Sequence, residues 1–334
     1  MAEPMIGHRS EAFSELYASL QPGLQDIFRT GNPVFLAASS ATGIMELAIR
    51  NLVRRRCLCL VCGAFGERWH RIALANGKEA EALRVDWGKA IRAESVEERL
   101  RGGGFDAVTL VHNETSTGVL NPLEEIARAV GRFPETTFLV DTVSSLATVP
   151  IEVDRRGIDL CLAGVQKGLA LPPGLTLFSV SPRALEKART VKERGYYFDL
   201  LLFQEKHRVH QTPTTPPISL FYALREQLGR IAEEGLEKRY ERHRHMAELC
   251  RDWARRRFKL FGEEGYLSPS LTCVENAMGL DLARFLRRLA ERGVVLAPGY
   301  GKLRARTFRI GHMGDCTPEA ISGLLDLMDE VIGS

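Results

Sequence analysis

The chain has no excess of one charge: 45 Lys+Arg stand against 42 Asp+Glu over 334 residues, a formal +3 spread along the sequence. No basic footprint therefore points to nucleic acid or to an anionic membrane, and a small-molecule partner is expected. A disulfide framework is also missing. Seven cysteines are odd in number and scattered, and no secretory pattern precedes them, which suits a reducing cytoplasm. Cys57, Cys59 and Cys62 in the run CLCLVC look at first like metal ligands. A strand would send Cys57 and Cys59 to one face and Cys62 to the other, so no metal is expected. The longest nearly charge-free stretch, Leu160 to Pro182, is interrupted by Lys167, Pro172, Pro173 and several glycines, too broken to span a bilayer. Internal repeats, low-complexity tracts and long Gly/Ser linkers are absent as well.

What is there reads as an ordinary globular chain, with 45% hydrophobic and 26% charged residues. Its length exceeds what one hydrophobic core usually serves, so two unequal domains are expected. From about Thr42 the pattern alternates: helix Gly43–Arg54, strand Cys57–Cys62, helix near Glu67–Asn76, strand near Ala82–Val85, helix near Ser95–Arg101. Strand Asp106–His112, helix Pro122–Arg132 and strands Thr137–Asp141, Ile158–Ala163 and Leu175–Val180 continue it. Such alternation predicts an α/β fold with a mainly parallel sheet between helices. Beyond Pro182 the segments become long, charged helices, including one near Leu236–Arg256. Strand-like runs at Leu271–Val274, Val294–Ala297 and Thr307–Ile310 follow, with helices near Leu282–Arg292 and Pro318–Ile332. This predicts a large domain over 1–235 and a small α+β domain over 236–334. The triplets Arg54-Arg55-Arg56 and Arg255-Arg256-Arg257 are read as solvated helix ends.

In an open parallel sheet, ligands sit where the C-terminal ends of strands deliver loops. Three such places stand out. Lys167 is one of only nine lysines and follows a strand among small and apolar residues, AGVQKGLALPPG. An ammonium there has its charged form disfavoured, and the neutral amine becomes a nucleophile suited to Schiff-base chemistry; capping of carbonyls or pairing with a carboxylate is the plainer alternative. Asp141 ends the strand run FLVD one strand earlier. It is either a helix cap or turn former, or a carboxylate that keeps a pyridine nitrogen protonated. The segment Ser39-Ser40-Ala41-Thr42-Gly43 opens what reads as the first helix. It lacks the pattern of a nucleotide P-loop or GxGxxG and is either a Ser/Thr N-cap or a phosphate cradle.

Taken together, SSATGIMELAIRN (39–51), GAFGERW (63–69), VHNETSTGVLNPLEEI (111–126), LVDTVSSL (139–146), GVQKGLALPPGL (164–175) and FRIGHMGD (308–315) resemble the class V pyridoxal-phosphate aminotransferases. The branch they are most similar to holds alanine–glyoxylate and serine–glyoxylate aminotransferases. The resemblance runs through nearly the whole chain, in order. It implies fold type I, a seven-stranded, mainly parallel sheet, and pyridoxal 5'-phosphate as cofactor. Lys167 would be the Schiff-base lysine and Asp141 the partner of the pyridine nitrogen. Phe65 would stack on one ring face and Val143 cover the other. Ser40, Ala41 and Thr42 would hold the phosphate, Ala41 standing where the family usually has Gly, a change that spares the backbone N–H. Thr115 and Gln166 would contact the cofactor's phenolic oxygen or the substrate. Arg309 would grip the substrate α-carboxylate with its planar fork.

The resemblance also implies a homodimer with shared active sites, because Thr215, in TPTTPPISL, matches a Thr that reaches the neighbouring subunit's phosphate; Thr212 and Thr214 lie close by. Family members usually open with a Gly-Pro-rich segment that helps wall the substrate pocket, whereas this chain reaches the family-like GHRSEAF at Gly7. The wall is therefore either missing or encoded upstream. The expected reaction moves an amino group from a small amino acid, of the alanine or serine type, to a small 2-oxo acid such as glyoxylate or pyruvate, in two ping-pong halves. The rivals are a lyase of the same fold and a cofactor-binding homologue without activity. Cysteine desulfurases carry His before the lysine, where this chain has Gln166, and a mobile loop Cys, for which Cys316 is the one candidate.

Overall fold

The computed structural model describes residues 3–333. The chain opens with α1 (Glu11–Phe28), β1 (Val34–Ala37), α2 (Ala41–Leu52), β2 (Arg56–Val61), α3 (Ala64–Ala75), β3 (Glu79–Arg84), α4 (Ala93–Arg101) and β4 (Ala107–Val111). A two-stranded ribbon, β5 (Asn113–Glu114) and β6 (Val119–Leu120), precedes α5 (Leu123–Val130), β7 (Thr137–Asp141), β8 (Leu160–Gly164) and β9 (Thr176–Val180). Helices α6 (Pro182–Arg189), α7 (Leu200–His207), α8 (Ile218–Glu234) and α9 (Leu236–Arg257) follow. The remainder is β10 (Lys259–Leu260), β11 (Leu271–Glu275), α10 (Leu282–Glu291), β12 (Ala297–Pro298), β13 (Thr307–Gly311) and α11 (Pro318–Gly333).

Seven strands form one sheet in the order β1-β9-β8-β7-β4-β2-β3. Every pairing from β8 to β3 is parallel, while β9 runs antiparallel to both of its neighbours. The four central strands β9, β8, β7 and β4 are buried along their whole length, as near-continuous apolar runs covered on both faces should be. One face packs α1, α4, α5 and α8 around Phe13, Leu20, Phe138 and Phe221. The other packs α2, α3, α6 and α7 around Ile44, Trp69, Phe178 and Phe203. Cys57 and Cys59 lie in the second cluster and Cys62 in the first, as strand alternation requires. All seven cysteines are free thiols, and among the described residues no group of three or more ligating side chains is placed to hold a metal.

Beyond α8, β10, β11, β13 and β12 form an antiparallel sheet in that order. With α9, α10 and α11 it encloses a separate apolar cluster around Trp253, Phe285, Phe308 and Met328. Leu236 and Tyr240, at the start of α9, still pack in the core of the large sheet. Among the described residues no helix is long and apolar enough to cross a membrane.

Three expectations need correction. The Ser39–Gly43 segment opens the second helix, because α1 and β1 precede it. The strand expected at Val294–Ala297 is shorter and later, Ala297–Pro298. Arg54, Arg55 and Arg56 do not cap α2. Their backbone N–H groups all donate to the Asp106 carboxylate, at 2.9, 2.8 and 3.0 Å. Arg56 begins β2, stacks over Phe105 and pairs with Glu81. Arg255–Arg257 do end α9.

Candidate active site

Parallel pairing sets Asp141 beside Leu162, so the last residue of β7 and the end of β8 point toward the same edge of the sheet. Lys167 follows three residues beyond Gly164. The turn that carries it is tight: Ala170 donates its N–H to the Lys167 carbonyl at 2.9 Å with φ 52°. Gly168 lies so close to the Leu146 carbonyl that a Cβ would overlap it. These contacts explain the small residues around the lysine, which the sequence showed without a reason.

A cavity of about 260 Å³ opens at this edge. Ser40, Ala41, Thr42, Phe65, Thr115, Asp141, Val143, Gln166 and Lys167 all line it. Met45, Arg68, Val111, Asn113 and Ser144 line it too and were not singled out from sequence. All five sat inside quoted motifs but carried no individual signal. No cysteine is among the lining residues, and Cys316 lies beyond β13.

Each lining group has a physical cause for its state. Lys167 is half-buried and its amine has neither a hydrogen bond nor an ion pair within the described residues; burial, and then the nearby Arg309 charge, push its pKa down. Asp141 is buried, and burial pushes its carboxyl up to about 7. One oxygen accepts the Val143 N–H at 2.8 Å, which leaves the other open toward the cavity. The Ser40 side chain makes no capping bond; the Gly43 N–H turns to the Ser40 carbonyl at 2.9 Å, and the Ala41 and Thr42 amides at the start of α2 are left without an intrahelical acceptor. The Thr176 hydroxyl donates to the Ser39 carbonyl at 2.8 Å and holds that turn against β9. Thr115 and Ser144 hydroxyls meet at 2.6 Å.

Two expected residues lie outside the lining. Arg309, on β13, stands beside it. Its Nε donates to the Pro298 carbonyl at 3.1 Å and its Nη1 to the Thr115 carbonyl at 3.3 Å, so it is tied to both the small sheet and the cavity rim. Thr215 is exposed on the segment before α8, away from its own chain's cavity. Tyr300, also unforeseen, reaches from the small sheet to Phe65, ring centroids 5.4 Å apart.

The donor set fits a phosphorylated pyridine aldehyde. An unpartnered amine suits the aldehyde, an open buried carboxylate the ring nitrogen, and an aromatic and a branched side chain in the same lining the ring faces. Free helix amides with two hydroxyls suit a phosphate. A larger groove of about 540 Å³ lies at the opposite ends of β7 and β8. Its Asp159 is already bonded to Phe138, Ser181 and Arg183, and no such set occurs there.

Comparison with known proteins agrees with this geometry. The chain is 38% identical to an uncharacterised aminotransferase of Methanocaldococcus jannaschii, over 97% of this chain and 86% of that one. It is 32% identical to the serine–glyoxylate aminotransferase of Methylorubrum extorquens, over 95% and 83%. The crystal structure of an alanine–glyoxylate aminotransferase from Nostoc sp. superposes with TM-score 0.94 at 33% identity, covering 99% of this chain and 90% of that one. Residues 7–299 match the model of the family described as aminotransferase class V, and the chain belongs to that family of transaminases.

Proposed function

We propose that the chain is a pyridoxal 5'-phosphate-dependent aminotransferase that moves the amino group of a small amino acid, of the alanine or serine type, to a small 2-oxo acid of the glyoxylate or pyruvate type. One observation carries the reading: an unpartnered Lys167 amine and the open Asp141 carboxylate line one cavity, with the Arg309 guanidinium at its rim. The serine–glyoxylate and alanine–glyoxylate relatives support the substrate classes. We read residues 1–235 as the cofactor-binding domain and 236–334 as the small domain, with Gly235 (φ 80°) between α8 and α9 at the boundary. The cytoplasm is the compartment of this reading, for which seven free thiols speak.

When bound, the cofactor supplies an aldehyde that condenses with amines and a protonated ring that draws electrons from the substrate's α-carbon. The residues of the chain do the rest. Ser40, Ala41 and Thr42 hold the phosphate end, Phe65 and Val143 flank the ring, and Asp141 keeps the proton on the ring nitrogen. Thr115 and Gln166 contact the phenolic oxygen or the substrate. Arg309 orients the α-carboxylate, which places the α-hydrogen near Lys167. The Lys167 Nζ, whose charged form burial and then Arg309 disfavour, takes that proton. The amino group rests on the enzyme between the two half-reactions, so the kinetics are ping-pong. Thr215 of the partner subunit completes the phosphate site in a homodimer; the exposure of Thr215, outside its own cavity, supports that arrangement.

The test is Lys167→Ala with a panel of amino acids against glyoxylate, pyruvate and 2-oxoglutarate. Borohydride should fix pyridoxal phosphate to the wild type and not to the variant, with turnover falling by ~10²–10⁴-fold. A variant that still carries a borohydride-reducible link sinks the assignment.

A further inference from the structure

Two cations line the cavity, Lys167 and Arg68, and Arg309 stands beside it. Lys167 is engaged by the proposed chemistry and Arg309 by the carbonyls of Pro298 and Thr115. Arg68, on the first turns of α3, has no anionic partner among the described residues. Its Nη1 donates to the Thr42 hydroxyl at 3.0 Å and its Nη2 to the Tyr300 hydroxyl at 3.1 Å. Its guanidinium lies over the Phe65 ring, 4.7 Å from the centroid. The neighbouring Glu67 gives its carboxylate to Arg84 instead. A guanidinium in a cavity wall, hydrogen-bonded to neutral hydroxyls and acting on the buried Asp141 carboxyl of the same cavity without a salt bridge to it, has no ion-pair partner of its own among the described residues.

A phosphate monoester brings the complementary deficit, roughly −1.5 to −2 charges at neutral pH. The α2 N-terminus offers about half a positive charge, and Ser40, Ala41 and Thr42 add only neutral donors. In a cleft with little water, the remaining charge calls for a cation within reach. Of the lining cations, Arg68 is the one that touches the cradle. The Thr42 hydroxyl accepts from Arg68 and so keeps its own hydrogen to donate to a phosphate oxygen. We propose that Arg68 is the cationic partner of the cofactor's phosphate ester, acting directly or through the Thr42 hydroxyl. The inference rests on the function proposed above. It also joins phosphate binding to ring stacking, because the same side chain braces Phe65, and to the small domain through Tyr300.

The test compares binding of pyridoxal 5'-phosphate and of pyridoxal, which lacks the phosphate, to the full-length apoprotein, read from the visible absorbance of the lysine-bound aldehyde and from intrinsic fluorescence. Arg68→Gln should raise the dissociation constant for pyridoxal phosphate by about tenfold or more while leaving that for pyridoxal within about twofold. Arg68→Lys, which keeps the charge, should preserve the discrimination between the two aldehydes to within about threefold of wild type. The lysine arm decides alone if the glutamine variant does not fold. Equal losses for both aldehydes overturn the proposal, because Arg68 then acts through Phe65 or the fold. Unchanged aldehyde affinities with a raised KM for aspartate alone overturn it too, because the guanidinium then serves a substrate carboxylate. A wild type that takes up neither aldehyde removes the parent reading, and is recognised before any variant is compared.

Discussion

The carboxylate of Glu114 accepts the backbone N–H of Phe65 at 3.1 Å, and the same oxygen takes that of Gly66 at 3.1 Å. Its other oxygen accepts the N–H and the hydroxyl of Ser116, at 3.1 and 2.6 Å. A buried side chain from the β5–β6 ribbon thus supplies acceptors for the largely buried N-terminus of α3, whose N-cap Gly63 has no side chain to cap it. Burial pushes the Glu114 carboxyl up, while these donors pull it down. Glu114→Gln turns an amide N–H₂ toward donors and leaves at least one unsatisfied. The expected loss is about 1–3 kcal/mol of stability, with weaker retention of the cofactor because Phe65 is no longer fixed. Urea unfolding of the apoprotein checks the first part, and a midpoint equal to wild type refutes it.

Asp141 gives the fold a pH dependence of known sign. Burial raises its carboxyl from 3.8 to about 7, so between about pH 4 and 7 the native apoprotein holds a proton that the unfolded chain releases. Native-state stability from this group therefore falls as pH rises through that window, then levels off above it. Asp141→Asn has no such dependence. The stability difference between Asn and Asp apoproteins should grow in favour of Asn from pH 4 to 7, and parallel curves would contradict the assignment. A protonated ring nitrogen beside the carboxylate stabilises its charged form, so cofactor binding should flatten the wild-type slope. The Asn variant should lose ~10²-fold or more in kcat, because the charge opposite the ring is gone.

The sequence made the strand-end residues legible because strand alternation and the position of loops after strands are local properties. Asp141 and Lys167 needed only β7 and β8 to be read correctly. Arg68 was not legible, since an arginine on an amphipathic helix reads as solvated, and only the approach of Thr42 and Tyr300 turns it into a cavity residue. The Arg54–Arg56 triplet misled for the converse reason: Asp106, distant in sequence, takes its three amides. Helix α1 was missed because Pro22-Gly23 is a turn signal. Its buried Phe13, Leu16, Tyr17, Leu20 and Leu24 outweigh that signal, and Gly23 allows α8 to approach, with Leu228 at 3.3 Å from where a Cβ would stand.

Gly168→Ala tests how tightly the Lys167 turn is built. The added methyl would overlap the Leu146 carbonyl and press on the Thr148 methyl. Both of those lie in the segment that follows Asp141, so relief must come from movement of the lysine turn. Arg239, buried and bonded to the Gly168 carbonyl at 2.7 Å, resists that movement from α9. Displacing a reacting amine by about 1 Å costs ~10²-fold in rate. Gly168→Ala should therefore lower kcat steeply while KM for the amino donor changes little, since Arg309 is on another element. Equal kcat for variant and wild type would show that the turn yields without moving Lys167.

Arg309 has two separable effects, one through its fork and one through its charge. Its Nε and Nη1 are fixed by the carbonyls of Pro298 and Thr115, which leaves Nη2 without a partner among the described residues and free to take a carboxylate. A lysine ammonium, with all its donors on one atom, cannot span the Pro298 and Thr115 carbonyls and present a planar pair of N–H groups to a carboxylate as the guanidinium does. Arg309→Lys should raise KM for the amino donor by about ten- to a hundredfold. The charge acts on Lys167, whose pKa it helps to depress. Arg309→Gln removes that repulsion, so the ammonium form of Lys167 becomes less disfavoured and the pH at which the amine turns neutral moves up; Arg309→Lys leaves it nearly in place. The rate of pyridoxal addition to the apoproteins as a function of pH reads this directly. Coincident profiles for the Gln variant and wild type would mean that burial alone sets the state of the lysine.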